Sequence, residues 1–262
     1  LVKKGFKDFS FVSQDSSSYL RDLGHNDGLE QLIDAVEKID GVKTARILYL
    51  YPSTTTLNLI DKIADSKVFV NYFDMPLQHI SQNMLKIMKR GKGAEKLIEL
   101  MNYMKSKPNS FVRTTFIAGH PGESEEDFEE LCSFVEEFGF DRGNVFSYSD
   151  EEGTSAETRD DKIEQELIDE RAEILGDIIS QTTIKSLEND IGKSFEVYID
   201  GESEEHEYLL SARKTIWAPQ IDGEIYINDN EDNIPIVFGE IYEVEATELA
   251  GDKLLAKIIR KV

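Results

Sequence analysis

At 262 residues, with 40% apolar and 10% aromatic side chains, the chain can form one large domain or two unequal ones, each with a core. Its 29 basic and 52 acidic residues leave a net charge of −23, which disfavours nucleic-acid backbones and anionic membranes and suits a basic partner. Cys132 is the single cysteine, which excludes an internal disulfide, and the four histidines are too scattered to complete a metal motif with it.

The chain opens on LVKKG, which reads as the last turn of a helix with Gly5 as its C-terminal cap. It has no apolar h-region and no small-residue cleavage site, and no later run approaches the roughly 18 apolar residues of a membrane span. With one thiol, this fits a reducing, cytoplasmic compartment and no membrane partner. Residues 9–14 (FSFVSQ) predict a strand, and 29–39 a helix with Leu29, Leu32, Ile33 and Val36 on one face. A second strand follows at 46–51 (RILYLY), then a short helix at 57–64, a third strand within 68–77, and helices at 81–90 and 94–105. The fourth strand spans 112–117 and the fifth 144–149 (NVFSYS). Strands alternating with helices imply right-handed crossovers and a parallel sheet, whether open or closed into a barrel.

The stretch 113–131 (RTTFIAGHPGESEEDFEEL) organises the first half. A β-branched, apolar run turns through Gly119-His120-Pro121-Gly122 into a helix. Ser124 is its N-cap, Asp127 completes a capping box, and Phe128, Leu131, Val135 and Phe138 form its apolar face. A strand that ends in a glycine turn and feeds a helix is where α/β proteins place ligands. Cys132 lies on this helix as a packed thiol. Residues 160–193 predict a long charged helix stopped near Gly192. From 194 the period becomes two, and FEVYID, EYLLSAR, GEIYIND, IYEVEAT and LLAKIIRKV predict five strands of a small closed β-barrel.

Polar motifs converge on the carboxyl ends of the predicted strands: VSQD (12–15), MPLQHIS (75–81) followed by LKIMKRG, RTTFIAGHPGES (113–124), and YSDEEGT (148–154). Taken in order, they resemble the radical S-adenosylmethionine methylthiotransferases, and residues 193–262 resemble that family's TRAM domain. Within the family, ARKTIWAPQIDGEIYI (212–227) is more similar to the members that modify small-subunit ribosomal protein twelve than to the tRNA-modifying ones.

The resemblance implies an α/β fold: a partial (βα) TIM-like barrel of the radical SAM type over 1–159, here missing its first βα unit. A linking helix at 160–192 and an all-β TRAM barrel at 193–262 follow. It implies a cytoplasmic enzyme that adds a methylthio group to the β-carbon of an aspartate. The route is reductive cleavage of S-adenosylmethionine to a hydrogen-abstracting radical, with an electron donor as a further partner. By position, Gln14 and Asp15 would sit near the amino-acid end of S-adenosylmethionine, and Gln78 and Ser81 near its ribose. Ile117 and Gly119 would offer an apolar edge and open backbone to the adenine, with Phe146 beside it. Arg113 is either a carboxylate partner or a surface residue, and His120 departs from the family pattern and receives no role. Simpler structural roles remain open: Gln78 capping the helix at Ser81, and Glu151-Glu152-Gly153 as a solvated turn.

The family carries two four-iron four-sulfur clusters in the full-length enzyme, one held by a CxxxCxxC motif. Neither that motif nor any other cluster ligand set occurs in this sequence. Two expectations follow. Residues 1–262 alone should not cleave S-adenosylmethionine, and the strand at 9–14 should be left as an open sheet edge.

Residues 193–262 carry seven basic and sixteen acidic residues, a net −9. Such a barrel repels RNA and attracts a basic ribosomal protein or the ribosome, so tRNA is the weaker partner. The acidic face is predicted at Glu202, Glu204, Glu205, Glu207, Asp229, Glu231 and Asp232. A tRNA-modifying relative and a non-catalytic acidic binding module remain the alternatives.

Overall fold

The computed structural model describes residues 1–91, 93–230 and 233–262. The chain divides into two compact units, Leu1–Thr183 and Ile184–Val262. Among the described residues no helix is long and apolar enough to cross a membrane.

In the first unit a 3₁₀ turn at Val2–Lys4 ends on Gly5 at φ 96°, the left-handed cap that its sequence predicts. Five strands follow: β1 (Asp8–Phe11), β2 (Thr44–Ile47), β3 (Phe69–Asp74), β4 (Phe111–Ala118) and β5 (Arg142–Ser147). They lie in the order β1-β2-β3-β4-β5, every pair parallel. The sheet is an open half-barrel, and β1 pairs only with β2, as an edge should.

The crossovers are α1 (Gly28–Glu37), α2 (Leu57–Ala64), α3 (Gln82–Ile87), α4 (Ala94–Lys105) and α5 (Glu125–Phe138). Each buries one apolar stripe, for example Leu59, Ile60 and Ile63 on α2 and Phe128, Leu131 and Val135 on α5. With Ile47, Phe73 and Phe116 from the sheet they form a single apolar core. The capping box at the head of α5 is complete: Ser124 accepts from the Asp127 N–H, and Asp127 accepts from the Ser124 N–H. Helix α6 (Gln165–Glu188) begins five residues later than the charged segment that predicts it.

Several predicted strands end earlier than expected, the one at 144–149 closing at Ser147, and at 46–51 the physical cause is visible. RILYLY continues as an apolar run, yet β2 stops at Ile47 because Tyr49 adopts φ 59°. The Tyr49 N–H donates to the Asp74 carboxylate (3.0 Å) and the Leu50 N–H to the Asp74 carbonyl, so the run leaves the ladder but stays tied to β3. The predicted 9–14 strand likewise closes at Phe11, and residues 12–15 are loop.

The second unit is a closed barrel of β6 (Ser194–Glu202), β7 (Leu210–Lys214), β8 (Ile225–Asp229), β9 (Ile241–Ala250) and β10 (Lys253–Lys261), in the order β10-β8-β7-β6-β9. Alternate residues point inward: Val197 and Ile199 on β6, Tyr242, Val244 and Ala246 on β9, Leu254, Ala256 and Ile258 on β10. Register shifts near Ile199 and Leu255 let the long strands bend around so small a core.

Candidate functional site

A cleft of about 750 Å³ in the first unit lies over the carboxyl ends of β3, β4 and β5. Its floor is β4. Where β4 gives out, Gly119 turns at φ 80°, and a Cβ there would meet the Ile168 side chain at 2.6 Å. Only glycine suits that position. On the β3 side the chain turns at Gln78, also left-handed at φ 70°. The Gln78 N–H donates to the Thr115 carbonyl, and its own carbonyl accepts from the Ile117 N–H (2.9 Å). Those two bonds extend the sheet beyond β3 and bring Gln78 alongside Ile117 in the cleft wall. The Gln78 Oε1 is buried and has no hydrogen-bond partner among the described residues, so a bound donor would satisfy it. Phe146 at the end of β5 also lines the cleft and is 61% exposed, offering apolar surface there.

The charges beneath the cleft are paired. Asp74 and Arg113 are register partners on β3 and β4, and the Arg113 guanidinium donates to Asp74 Oδ1 at 3.2 Å. Burial pushes the Asp74 carboxyl up, against the opposing pull of Arg113 and the Tyr49 N–H. With its amide oxygen turned inward, Asn144 accepts from Arg113 at 2.9 Å.

His120 lines the cleft edge-on to Tyr148, their centroids 5.1 Å apart. Burial depresses its pKa below the ordinary 6.5, partly opposed by the hydrogen bond to the Pro121 carbonyl. The unfolded chain therefore binds more protons below pH 6.5, and stability should fall as pH drops from 6.5 through the folded-state value. His120→Gln should flatten that segment of a urea-midpoint-against-pH curve. An unchanged curve would show that His120 is not its source.

The loop from Gly119 to Gly122 is held from below. Both Glu123 carboxylate oxygens accept from the Gly119 N–H (3.1 Å each), and Arg171 of α6 donates to Oε1 at 2.8 Å. His79 Nε2 faces Oε2 at 3.5 Å, while its Nδ1 accepts from the Ser81 N–H. All three side chains are essentially buried. Ser81 caps α3 through the Met84 N–H and donates to Asp127. Burial opposes ionisation of Asp127, yet hydrogen bonds from Ser81, Asn83 and Ser124 hold its carboxyl below the usual range.

Of the residues predicted from sequence, the fold brings Gln78, Arg113, Ile117 and Phe146 to one cleft. Others have different positions. Gln14 is exposed in the loop after β1, away from the cleft lining, and the Asp15 carboxylate accepts from Ser17 and Ser18 as the cap of a 3₁₀ turn. Ser81 belongs to the α3 cap, and Gln78 does not cap that helix. The Gly119 backbone is not open, because Glu123 takes its N–H and Ile168 covers its Cα. Tyr49, Asp74 and Arg90 carry no signal of their own in the sequence, and Arg171 reads there only as part of a helix face. The GHPGE turn was the one signal near Glu123.

In the barrel Glu202, Glu204, Glu205 and Glu207 are exposed and Asp229 is half-buried. Glu231 and Asp232 lie outside the described residues. Glu205 is not a free charge: it accepts from Lys253 (2.7 Å) and from the Tyr226 hydroxyl (2.6 Å). Cys132 is half-buried against the core, and burial followed by nearby Glu123 and Glu125 pushes its thiol up to about 11. A metal-ligating thiolate needs the opposite environment. Among the described residues no three histidine, cysteine or acidic side chains come together as a metal site.

An open parallel half-barrel with a cleft over its strand ends, followed by a small closed β-barrel, defines the class of protein. The first 135 residues match the model of the radical SAM superfamily, and residues 191–259 match that of the TRAM domain. The chain belongs to the radical SAM superfamily and carries a TRAM domain.

It is 78% identical over 262 residues to the ribosomal protein uS12 methylthiotransferase RimO of Aliarcobacter butzleri, covering 99% of this chain and 59% of that protein. The protein of the same name from Campylobacter jejuni (strain RM1221) is 53% identical over 262 residues, with 100% and 59% covered. The chain thus spans about three-fifths of the length of these curated relatives. Among solved structures, coproporphyrinogen III oxidase of Escherichia coli, a radical SAM enzyme, superposes with a TM-score of 0.50. The identity is 17%, over 60% of this chain and 37% of that one, a likeness of fold alone.

Proposed function

We propose that this chain supplies the S-adenosylmethionine cleft and the substrate-recognition barrel of a methylthiotransferase acting on an aspartate of small-subunit ribosomal protein uS12. The single observation that carries the cofactor assignment is the buried, unsatisfied Gln78 Oε1 set in one cleft with Ile117 and Phe146. An adenosyl group offers hydroxyl and amino donors to the first and a flat apolar face to the others. The names of the similar curated proteins support the substrate. Residues 1–159 are assigned to the cofactor, 160–192 to the link and 193–262 to recognition.

Bound there, S-adenosylmethionine would supply both a methyl group and the hydrogen-abstracting equivalent, with electrons from an external donor. Gln78 would accept from the ribose, Ile117 and Phe146 would enclose the adenine and exclude water, and the Asp74–Arg113 pair would keep the cleft floor polar. Gly119, Ser81 and Asp15 would act through the loops they hold, and Gln14 would stand free at the β1 end. The residues present do not fit a four-iron four-sulfur cluster: the one cysteine, Cys132, lies on α5 with a raised pKa.

The test uses the full-length protein containing this chain, with reductant, sulfur source, S-adenosylmethionine and either uS12 or tRNA. The expected product is uS12 carrying one methylthio group on an aspartate. A modified tRNA with unmodified uS12, or no modification of either, would overturn the reading.

The same reading predicts how the partner is held. Exposed ion pairs contribute only about 0–1 kcal/mol each, so no single glutamate of the barrel should dominate. Their summed field should speed encounter with a basic protein, and affinity should fall steeply with salt because screening acts within roughly 8–10 Å at physiological ionic strength. Titration against uS12 at low and moderate salt measures this, and salt-independent binding would contradict it.

A further inference from the structure

Arg90 lines the same cleft, in the turn that follows α3. That turn is built to hold one shape. Lys89 adopts φ 55° and Gly91 φ 70°, and a Cβ on Gly91 would lie 2.5 Å from Ser53 Oγ. The Arg90 N–H closes the turn on the Leu85 carbonyl at 2.8 Å. Its guanidinium lies over the Tyr51 ring, 5.5 Å from the centroid.

Stacking an arginine on an aromatic face fixes its plane and leaves the edge N–H donors free for a planar acceptor. In a chain with 52 acidic residues, no carboxylate among the described residues is paired with Arg90. Arg113, the other arginine of the cleft, is matched by Asp74, and Glu151, the only acidic residue of the lining, makes no ion pair with Arg90.

From this we infer that Arg90 is the carboxylate-binding residue of the cleft, engaging a ligand carboxylate through its guanidinium edge. The inference rests on the proposed function, which brings two carboxylates to this cleft: that of the amino-acid end of S-adenosylmethionine and that of the substrate aspartate. A guanidinium fork fits either one, bidentate and charge-assisted.

The experiment compares the wild-type full-length protein with Arg90→Gln and Arg90→Lys, after circular dichroism shows the fold retained. Affinity is measured for S-adenosylmethionine, for its decarboxylated analogue, and for uS12 with the target aspartate intact or changed to asparagine. Loss of one charge-assisted bond should weaken the carboxylate-bearing ligand about 10–100-fold in Arg90→Gln. Arg90→Lys should recover part of this, having the charge but not the fork.

If the cofactor is the ligand, wild type should prefer S-adenosylmethionine to the decarboxylated analogue and the variant should not. If the substrate aspartate is the ligand, cofactor affinity should be unchanged, and only uS12 with its aspartate intact should bind the variant more weakly. Wild-type binding that Arg90→Gln leaves untouched, or an equal loss for ligands with and without the carboxylate, would overturn the assignment alone. Failure of the wild-type protein to bind either S-adenosylmethionine or uS12 would instead overturn the proposed function, and this inference with it.

Discussion

Glu123→Ala is expected to destabilise the Leu1–Thr183 unit by about 3–5 kcal/mol, the usual cost of removing one partner from a buried ion pair. The substitution takes away the acceptor for Arg171, the group facing His79 and the acceptor of the Gly119 N–H in one step. Arg171 would keep a salt link to the exposed Glu125 (2.8 Å), which does not replace a buried carboxylate. Glu123→Gln keeps the shape and one acceptor oxygen, so its cost should be smaller, about 1–3 kcal/mol.

In urea unfolding, two probes report on the two units. The only tryptophan, Trp217, is buried in the second unit, whereas nearly all the helix lies in the first. The far-ultraviolet helix signal of Glu123→Ala should shift while Trp217 fluorescence holds its wild-type midpoint. A helix midpoint within about 0.5 kcal/mol of wild type, as for a typical surface substitution, would show that the loop does not depend on this network. If the Gly119–Gly122 loop shapes the cleft, affinity for S-adenosylmethionine should fall with it.

The second large effect is expected at the sheet edge. Arg46 on β2 is fully buried, and its guanidinium donates to both oxygens of Asp8 on β1 (2.6 and 3.1 Å) and to Ser10 (3.0 Å). Strand β1 is four residues long and pairs on one side only, so this ion pair is a main fastening between it and β2. Asp8→Ala should cost about 3–5 kcal/mol, because a buried guanidinium loses its counter-charge. The double variant Asp8→Leu/Arg46→Met removes both charges and should recover most of that loss, since apolar replacement of a buried pair is often neutral. Denaturant midpoints of the singles and the double form the cycle. A double variant no more stable than Asp8→Ala would mean that the pair adds net stability that apolar packing cannot replace.

Much of the architecture was legible because the signals are local. The apolar period on α2 and α4 sets helices whose bounds agree with the sequence reading, since a helix closes its own hydrogen bonds within the segment. The Ser124–Asp127 capping box is a contact between residues three apart, and Gly119 had to be glycine for the turn that follows β4. The switch from a period of 3.6 to a period of 2 after residue 193 marked the five barrel strands in the same way.

What the chain could not announce is whatever depends on residues distant in sequence. RILYLY does not say where β2 ends, because the Asp74 carboxylate from β3 captures the Tyr49 N–H. Arg46 reads as the polar start of a strand and becomes the most deeply buried arginine, because Asp8, thirty-eight positions earlier, lies within reach of it. Arg113 reads as a surface residue or a carboxylate partner until Asp74 meets it across the sheet, and Arg90 is an ordinary basic residue of MKRG until Tyr51 comes beneath it. Glu205 looked like one more free acid until Lys253 and Tyr226 closed on it. Charge pairing falls off within a few ångströms, so the partner of an ionised group is chosen by tertiary distance. Composition set the sign of the protein's field, and only the packed sheet decided which charges were left to meet a ligand.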